Sequence, residues 1–242
     1  SANVDAGFSI GTHGHNLATS DTFGHGLGVP PVLIIEAKRD VNGGDWIAQH
    51  SLLDGSADYM RINTIGDNNN GWSGMNLPTS TVYNGSVGAG GGATNVVSYC
   101  FAEVPGYSKG GVYTGNGNID GPFVHLGFEP AWILMKRAVG GTYEWIVQDN
   151  VRSPDNPNRL IHWFGFNYAT NSPSVRMDFL SVSSKGYKST ITRSNSGIAN
   201  SFISSLSFSL SLLDKIPPNT LGWRVFTLPP KIDGYPVVSS IA

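Results

Sequence analysis

The sequence predicts an all-β fold: two tandem antiparallel β-sandwich repeats of jelly-roll or lectin-like type, followed by an extended C-terminal segment. Three observations predict it. Short runs rich in Val, Ile, Phe, Tyr and Trp alternate with turn residues, which include 31 Gly and 14 Pro. That is the pattern of many short strands. No amphipathic helical period is evident, so the chain reads as a sandwich and not as βαβ units. Finally, one passage occurs twice, as "GHGLGVPPVLIIEAKRDVNGGDWIAQH" from Gly24 to His50 and "HLGFEPAWILMKRAVGGTYEWIVQD" from His125 to Asp149.

The duplication keeps one register. Gly127 stands 99 positions after Gly28, and the same spacing pairs Gly7 with Gly106, Phe8 with Tyr107, Ser9 with Ser108 and Gly11 with Gly110. It continues through Leu27 with Leu126, Pro31 with Pro130 and Ile34 with Ile133, and closes with Trp46 and Trp145, Ile47 and Ile146, Gln49 and Gln148. A gapless match of that length marks repeated structural units. The expected boundaries are residues 1–104 for the first repeat, 105–213 for the second and 214–242 for the C-terminal segment.

Each repeat opens with a strand near "GFSI" or "GYSKGGVY" and a polar Gly-rich loop. A strand follows Pro ("PVLIIEAK", "AWILMKRA"), then a turn ("DVNGGD", "VGGT"), then another strand ("WIAQHSL", "EWIVQDN"). Two apolar strands joined so briefly form a hairpin. Trp46 and Ile47, like Trp145 and Ile146, project to opposite faces, so one of each pair is expected to be partly exposed. The tryptophans read as sheet-packing residues ahead of ligand-stacking platforms. The first repeat closes with "STVYNGSVGAGGGATNVVSYCFAEV" and the second with "TITRSNSGIANSFISSLSFSLSLLD", aligned Tyr99 to Phe208 with roughly ten residues inserted near "VRSPDNPNR". Alternation in "SLSFSLSLL" predicts a half-buried strand with a Ser face suited to another subunit. The Pro-rich tail from Lys215 suits extended chain that wraps its own domains or, by preference, clasps a neighbour.

Composition narrows the function. Hydrophobic residues make up 40% and charged residues 13%, about half the usual charged share. A net charge of -2 lacks the basic stripe of a nucleic-acid binder. The apolar runs "PVLII" and "AWILM" are too short to span a bilayer, so no membrane insertion is expected. The chain starts at Ser1 without Met, as a processed chain or a fragment would. Cys100, the single cysteine, reads as a buried strand thiol.

No catalytic constellation stands out. There is no G-x-S-x-G elbow, and Glu36, Glu103, Glu129 and Glu144 are not spaced as an acid–base pair. Glu36 and Glu103 fall in strand-like runs. His13 and His15 in "THGHN" lie on one side of a strand and are a candidate metal pair, with loop histidines the plainer alternative. His25 in "FGHGLG" carries the same choice. The corresponding stretch "VYTGN" has no histidine. "DGSADYMRINTIGDNNNGW" is rich in oxygen ligands but lacks EF-hand spacing, and Asx turns explain it more simply. Exposed aromatics with Asn and Asp suit sugar recognition: Trp72 with Asp67, Asn69 and Asn70, and Tyr168, with Tyr83 and Trp163 as further candidates. A core strand is the alternative for "LIHWFGFNY".

The string "FGHGLGVPP…II…KRD…GGDWIAQH" and the junction "YCFAEVPGYSKGGVYTGNGNIDG" resemble a repeat domain of tailed-bacteriophage tail-fibre and other virion structural proteins, notably of marine and cyanobacterial phages. The likeness covers roughly residues 7 to 180; the closing strand "SFISSLSFSLSLLD" and the tail depart from it. It implies a virion-associated β-sandwich module. The expected protein is a non-enzymatic virion subunit of a tail fibre or appendage that helps recognise a host-surface glycan. It would form a homo-oligomer, a trimer by preference, contact other virion proteins and need no cofactor. The alternatives are a purely structural capsid-decoration or filament subunit, and a soluble lectin or polysaccharide-acting enzyme.

Overall fold

The computed structural model describes residues 1–15, 21–40, 44–66, 69–71, 74–85, 94–115, 122–138 and 144–149, with His15, Asn69, Asn70 and Thr94 as backbone positions. It also describes the backbone of strands within 160–163, 169–171, 175–179, 186–191 and 201–208. Every element among these residues is a strand, and every pairing is antiparallel. In chain order the first half contains β1 (Ala2–Asn3), β2 (Phe8–His15), β3 (Thr22–Gly24), β4 (Leu33–Lys38), β5 (Ile47–His50), β6 (Asp58–Arg61), β7 (Asn69–Asn70), β8 (Val82–Asn84) and β9 (Thr94–Phe101). The second half contains β10 (Ser108–Thr114), β11 (Phe123–His125), β12 (Trp132–Arg137), β13 (Ile146–Asp149), β14 (Leu160–Trp163), β15 (Ala169–Asn171), β16 (Val175–Phe179), β17 (Gly186–Ile191) and β18 (Ser201–Phe208).

The repeated sequence has a repeated topology. One sheet runs β1-β2-β9-β4-β5-β6-β7 and a second runs β10-β18-β12-β13-β14-β15. In both, the last long strand of its half (β9, β18) inserts between the strand that opens the repeat (β2, β10) and the hairpin. Leu33 pairs with Phe101, and Trp132, its counterpart 99 positions on, pairs with Phe208. The true partner of Phe208 is therefore Phe101 and not Tyr99. Read through β4 and β12 the match differs from the sequence alignment by two residues, and through β2 and β10, where Ser9 pairs with Cys100 and Ser108 with Phe208, it differs by one. Bulges between Lys109 and Gly111 and between Leu134 and Met135 account for local drift in this register.

Alternation along β4 divides the interior into two layers. Leu33 and Ile35 point one way and join Ala48, Met60, Ile62, Leu134, Ala138, Trp145 and Val147 in one core. The two large sheets thus bury a face against each other. Ile34 points the opposite way, with Leu27, Tyr83, Cys100 and Ala102, and Phe23 packs against this second core. Phe23 and Tyr83 belong to a two-stranded ribbon, β3 with β8, which lies over the outer face of the first sheet. At roughly 25 cal/mol per Å2 of apolar surface, burial on both faces of β4 is a main source of stability.

Two pairs of equivalent glycines show why the repeat persists in sequence. Gly7 and Gly106 have φ of 60° and 77°, and Gly28 and Gly127 have φ of 75° and 90°. These are left-handed conformations that a side chain disfavours. Cys100 is buried in β9 as expected. Glu103 differs from expectation: it lies just past β9, where its Oε1 accepts the Gly110 N–H at 3.0 Å.

Candidate functional site

A cluster of buried polar side chains lies beneath the ribbon. His13 on β2 and Glu36 on β4 share the covered face, with β9 between them. Ser98 of β9 is opposite both Gly11 and Glu36. These small residues keep the sheet surface low: a Cβ on Gly11 would approach Ser98 Oγ to 3.0 Å. The His13 ring therefore reaches across β9, placing Nε2 2.9 Å from Glu36 Oε1. Phe23 stacks on its other side, with ring centroids 3.6 Å apart. Gln49 Nε2 donates to Glu36 Oε2 at 3.1 Å and to the Asn84 carbonyl at 3.0 Å.

The carboxylate of Glu36 is fully buried and the His13 side chain is 9% exposed. Tyr83 is also inside, 2% exposed, and so is not the surface sugar platform expected of it. Alternation in β8 turns its ring toward the sheet. Burial, and then the neighbouring Glu36 charge, raise the Tyr83 phenol above its ordinary range. The Cys100 thiol is pushed up to about 12, by burial first and by Glu36, against a lowering hydrogen bond from Ser9. A thiol so protonated is a poor nucleophile at neutral pH. The cluster's polar groups hold the ribbon against the sheet.

His25 is likewise structural. Its Nδ1 accepts the Leu27 N–H at 3.2 Å and its Nε2 lies 3.1 Å from the Thr79 carbonyl, an arrangement that places the proton on Nε2. For the proposed metal pair, His13 is engaged with Glu36, and the side chain of His15 lies outside the described residues. Among the described residues no group of three His, Cys, Asp or Glu could hold a metal. The positions 99 residues beyond His13 and Glu36 are Val112 and Met135, so the pair belongs to the first half alone.

The Asp/Asn-rich segment folds as Asx chemistry predicts. Asp54 Oδ1 accepts the Ser56 N–H at 2.8 Å and the Ser56 hydroxyl at 2.6 Å. These bonds, the hydroxyl's first, lower the Asp54 carboxyl below its ordinary value. Asn69 and Asn70 form the edge strand β7, opposite Tyr59 and Asp58 respectively. Asp67, Trp72 and Tyr168 lie outside the described residues, and Trp163 is placed only as the end of β14.

Residues 1–204 match a protein family described as a domain of unknown function, DUF7483. The chain belongs to the DUF7483 family. The match takes in both halves and stops inside β18. No curated protein and no solved structure matches the DUF7483 chain.

A second arrangement in the DUF7483 chain escaped sequence reasoning. Arg61 Nε donates to Asp45 Oδ2 at 2.6 Å, and its guanidinium carbon sits 5.4 Å from the Tyr59 ring centroid. The bond to Asp45 raises Arg61 further above its already high value. Sixteen residues separate the partners, and only the β5–β6 pairing, with Ile47 opposite Arg61, brings them together. Trp46, beside Asp45, is 40% exposed, whereas its counterpart Trp145 is 1% exposed and donates Nε1–H to the Arg61 carbonyl at 2.9 Å. Equivalent positions of the repeat thus give one surface tryptophan and one core tryptophan.

Proposed function

We propose that this DUF7483 chain is a non-enzymatic structural protein of a virion, a subunit of a tail fibre or appendage that contributes to recognition of a host-surface glycan. The carrying observation is the junction "CFAEVPGYSKGGVYTGNG", the part of the chain that most specifically resembles phage virion repeats. In three dimensions its residues 101–108 form the corner between the halves. β9 ends at Phe101, the chain turns through the Val104–Ser108 bridge with Gly106 at φ 77°, and β10 starts at Ser108. Ser108 Oγ ties that corner to the Ala102 carbonyl at 3.0 Å. A fixed corner of this kind suits a module repeated along a fibre.

In this reading the two halves are tandem jelly-roll or lectin-like sandwiches assembled into a homo-oligomer, a trimer by preference, beside other virion proteins. The occluded His13–Glu36 pair and the protonated Cys100 thiol favour binding over catalysis. The test is light scattering on the purified chain with a glycan array and a reducing-end assay on host polysaccharide. A defined oligomer that binds glycan without cleaving it is expected. A monomer with no glycan affinity, or release of reducing ends, would overturn the proposal.

A further inference from the structure

We infer that the open edge of β10 is a docking surface for the C-terminal segment of a second copy of this chain, which adds there as an antiparallel strand through Gly222–Leu228. This inference rests on the homo-oligomer reading above and names the surface and the segment that join the copies.

Among the described strands, β10 is the one long strand at an edge of the two large sheets. The first sheet is bordered by β1 and β7, each 2 residues long, and the second by β15, 3 residues, and β10, 7 residues. Exposed edges are commonly kept from pairing by charge or proline. β10 reads "SKGGVYT" and holds no proline. Lys109, its single charge, turns away and donates from Nζ to the His125 carbonyl at 3.3 Å.

This edge is closed at one end. Val104 and Ser108 exchange both backbone hydrogen bonds, at 3.1 and 2.9 Å, and Glu103 Oε1 accepts the Gly110 N–H at 3.0 Å. Backbone groups alternate along a strand, so Val112 and Thr114 turn theirs the same way as Ser108 and Gly110. Among the described residues no strand pairs with them on that side, and the Val112 side chain is 43% exposed. The first half shows what covers such an edge. There Ala2 and Asn3 lie antiparallel on Ser9 and Phe8, and Ser1 exchanges two bonds of 2.8 Å with Ile10. Cys100 and Phe101, the counterparts of Ser1 and Ala2, do not repeat this on β10 because β9 holds them in the first sheet.

The chain supplies an occupant. β18 is the neighbour of β10, Phe208 stands opposite Ser108, and residues 209–242 follow, beyond the family match at 1–204. After Lys215 the longest run without proline lies between Pro218 and Pro229. Within it "GWRVFTL", Gly222–Leu228, equals β10 in length and is rich in aromatic and β-branched residues. Each of its residues keeps the N–H that edge pairing needs. Direction selects a second copy. Pairing here is antiparallel, so an added strand enters at Thr114 and runs toward Ser108. A chain's own tail leaves β18 at the Ser108 end and would have to double back along β10, whereas a second copy's tail arrives from either end.

The experiment compares the full chain with Val225→Pro and Val112→Lys by light scattering over a range of concentrations. The first removes an N–H from the tail, and the second puts a charge on an exposed edge position. Each is expected to move the midpoint of oligomer dissociation about tenfold or more toward higher concentration, the scale of one or two lost hydrogen bonds, with an unchanged circular dichroism spectrum. Chains carrying Val112→Cys and Val225→Cys separately, mixed and mildly oxidised, should form a disulfide between copies; Cys100 is buried and takes no part. An oligomer that both substitutions leave intact, or a disulfide between positions 112 and 225 that forms only within a single chain carrying both, would overturn the clasp while leaving the oligomer reading in place. A full chain that is monomeric at every concentration would overturn both.

Discussion

The indole N–H of Trp145 donates to the backbone carbonyl of Arg61 across 2.9 Å, joining the second half of the chain to the first. Around that bond lie Met60, Ile62, Leu134 and Val147, all in one apolar cluster. Lys136, 1% exposed, adds a parallel tie by donating from Nζ to the Ile65 carbonyl at 3.1 Å. Each half therefore completes the core of the other.

Trp145→Ala is expected to lower the unfolding free energy by about 3–5 kcal/mol, the cost of emptying a buried aromatic site. Trp46→Ala, at a 40% exposed position, should cost about 1 kcal/mol or less. Urea denaturation monitored by circular dichroism compares them. Equal losses would contradict the division of the two tryptophans into core and surface.

Glu36 and His13 should behave as one unit. Removing only His13, as His13→Val, leaves a buried carboxylate short of a partner and should cost on the order of 3–5 kcal/mol. The double substitution His13→Val with Glu36→Met copies Val112 and Met135 and should cost clearly less than the sum of the single changes. A double-mutant cycle by chemical denaturation measures the difference. Strict additivity would show that the 2.9 Å contact carries no coupling.

Gly7→Ala should destabilise more than Gly106→Ala. Both positions have positive φ, which costs about 1–2 kcal/mol for a residue with a side chain. At Gly7 the new Cβ would also stand 2.7 Å from the Ala102 carbonyl oxygen and from Val104 Cγ2, while at Gly106 nothing lies within 4 Å. Thermal melts of the two variants give the order directly.

Cys100 should resist a thiol reagent at pH 8 in the folded chain and react at once in denaturant. Burial pushes its thiol up from an ordinary value of 9.0 to about 12 in the folded chain. Between those values the unfolded chain has lost a proton that the folded chain keeps, so alkali favours unfolding. Stability is unaffected by this group below about pH 9 and falls as pH rises toward 12. Tyr83 and Tyr107, both raised by burial, should steepen the fall above pH 10. Denaturation midpoints measured from pH 7 to 11 test the direction, and a rise over that range would refute it.

Local physics explains how much was readable in advance. The apolar runs after Pro in "PVLIIEAK" and "AWILMKRA" predicted β4 and β12, and the short Gly turns predicted their hairpins, because β propensity and turn chemistry act over a few residues. The Asx turn at Asp54 was legible for the same reason. The His13–Glu36 contact was not, since the two are 23 residues apart and meet across a third strand. Tyr83 was misplaced because it stands in a stretch rich in turn residues, "TSTVYNGS", and only the ribbon's position over the sheet buries its ring.

By itself the sequence determined the all-β class, the 99-residue repeat and the glycines that its turns require, since these follow from side-chain period, backbone sterics and duplication. Tertiary structure alone decided which copy of each repeated residue does what. Trp46 and Trp145 share a sequence context, yet they diverge because the two sheets stack face to face and only one of the two rings points into the shared core. Burial depends on what another sheet places above a residue, and repeated sequence does not encode that.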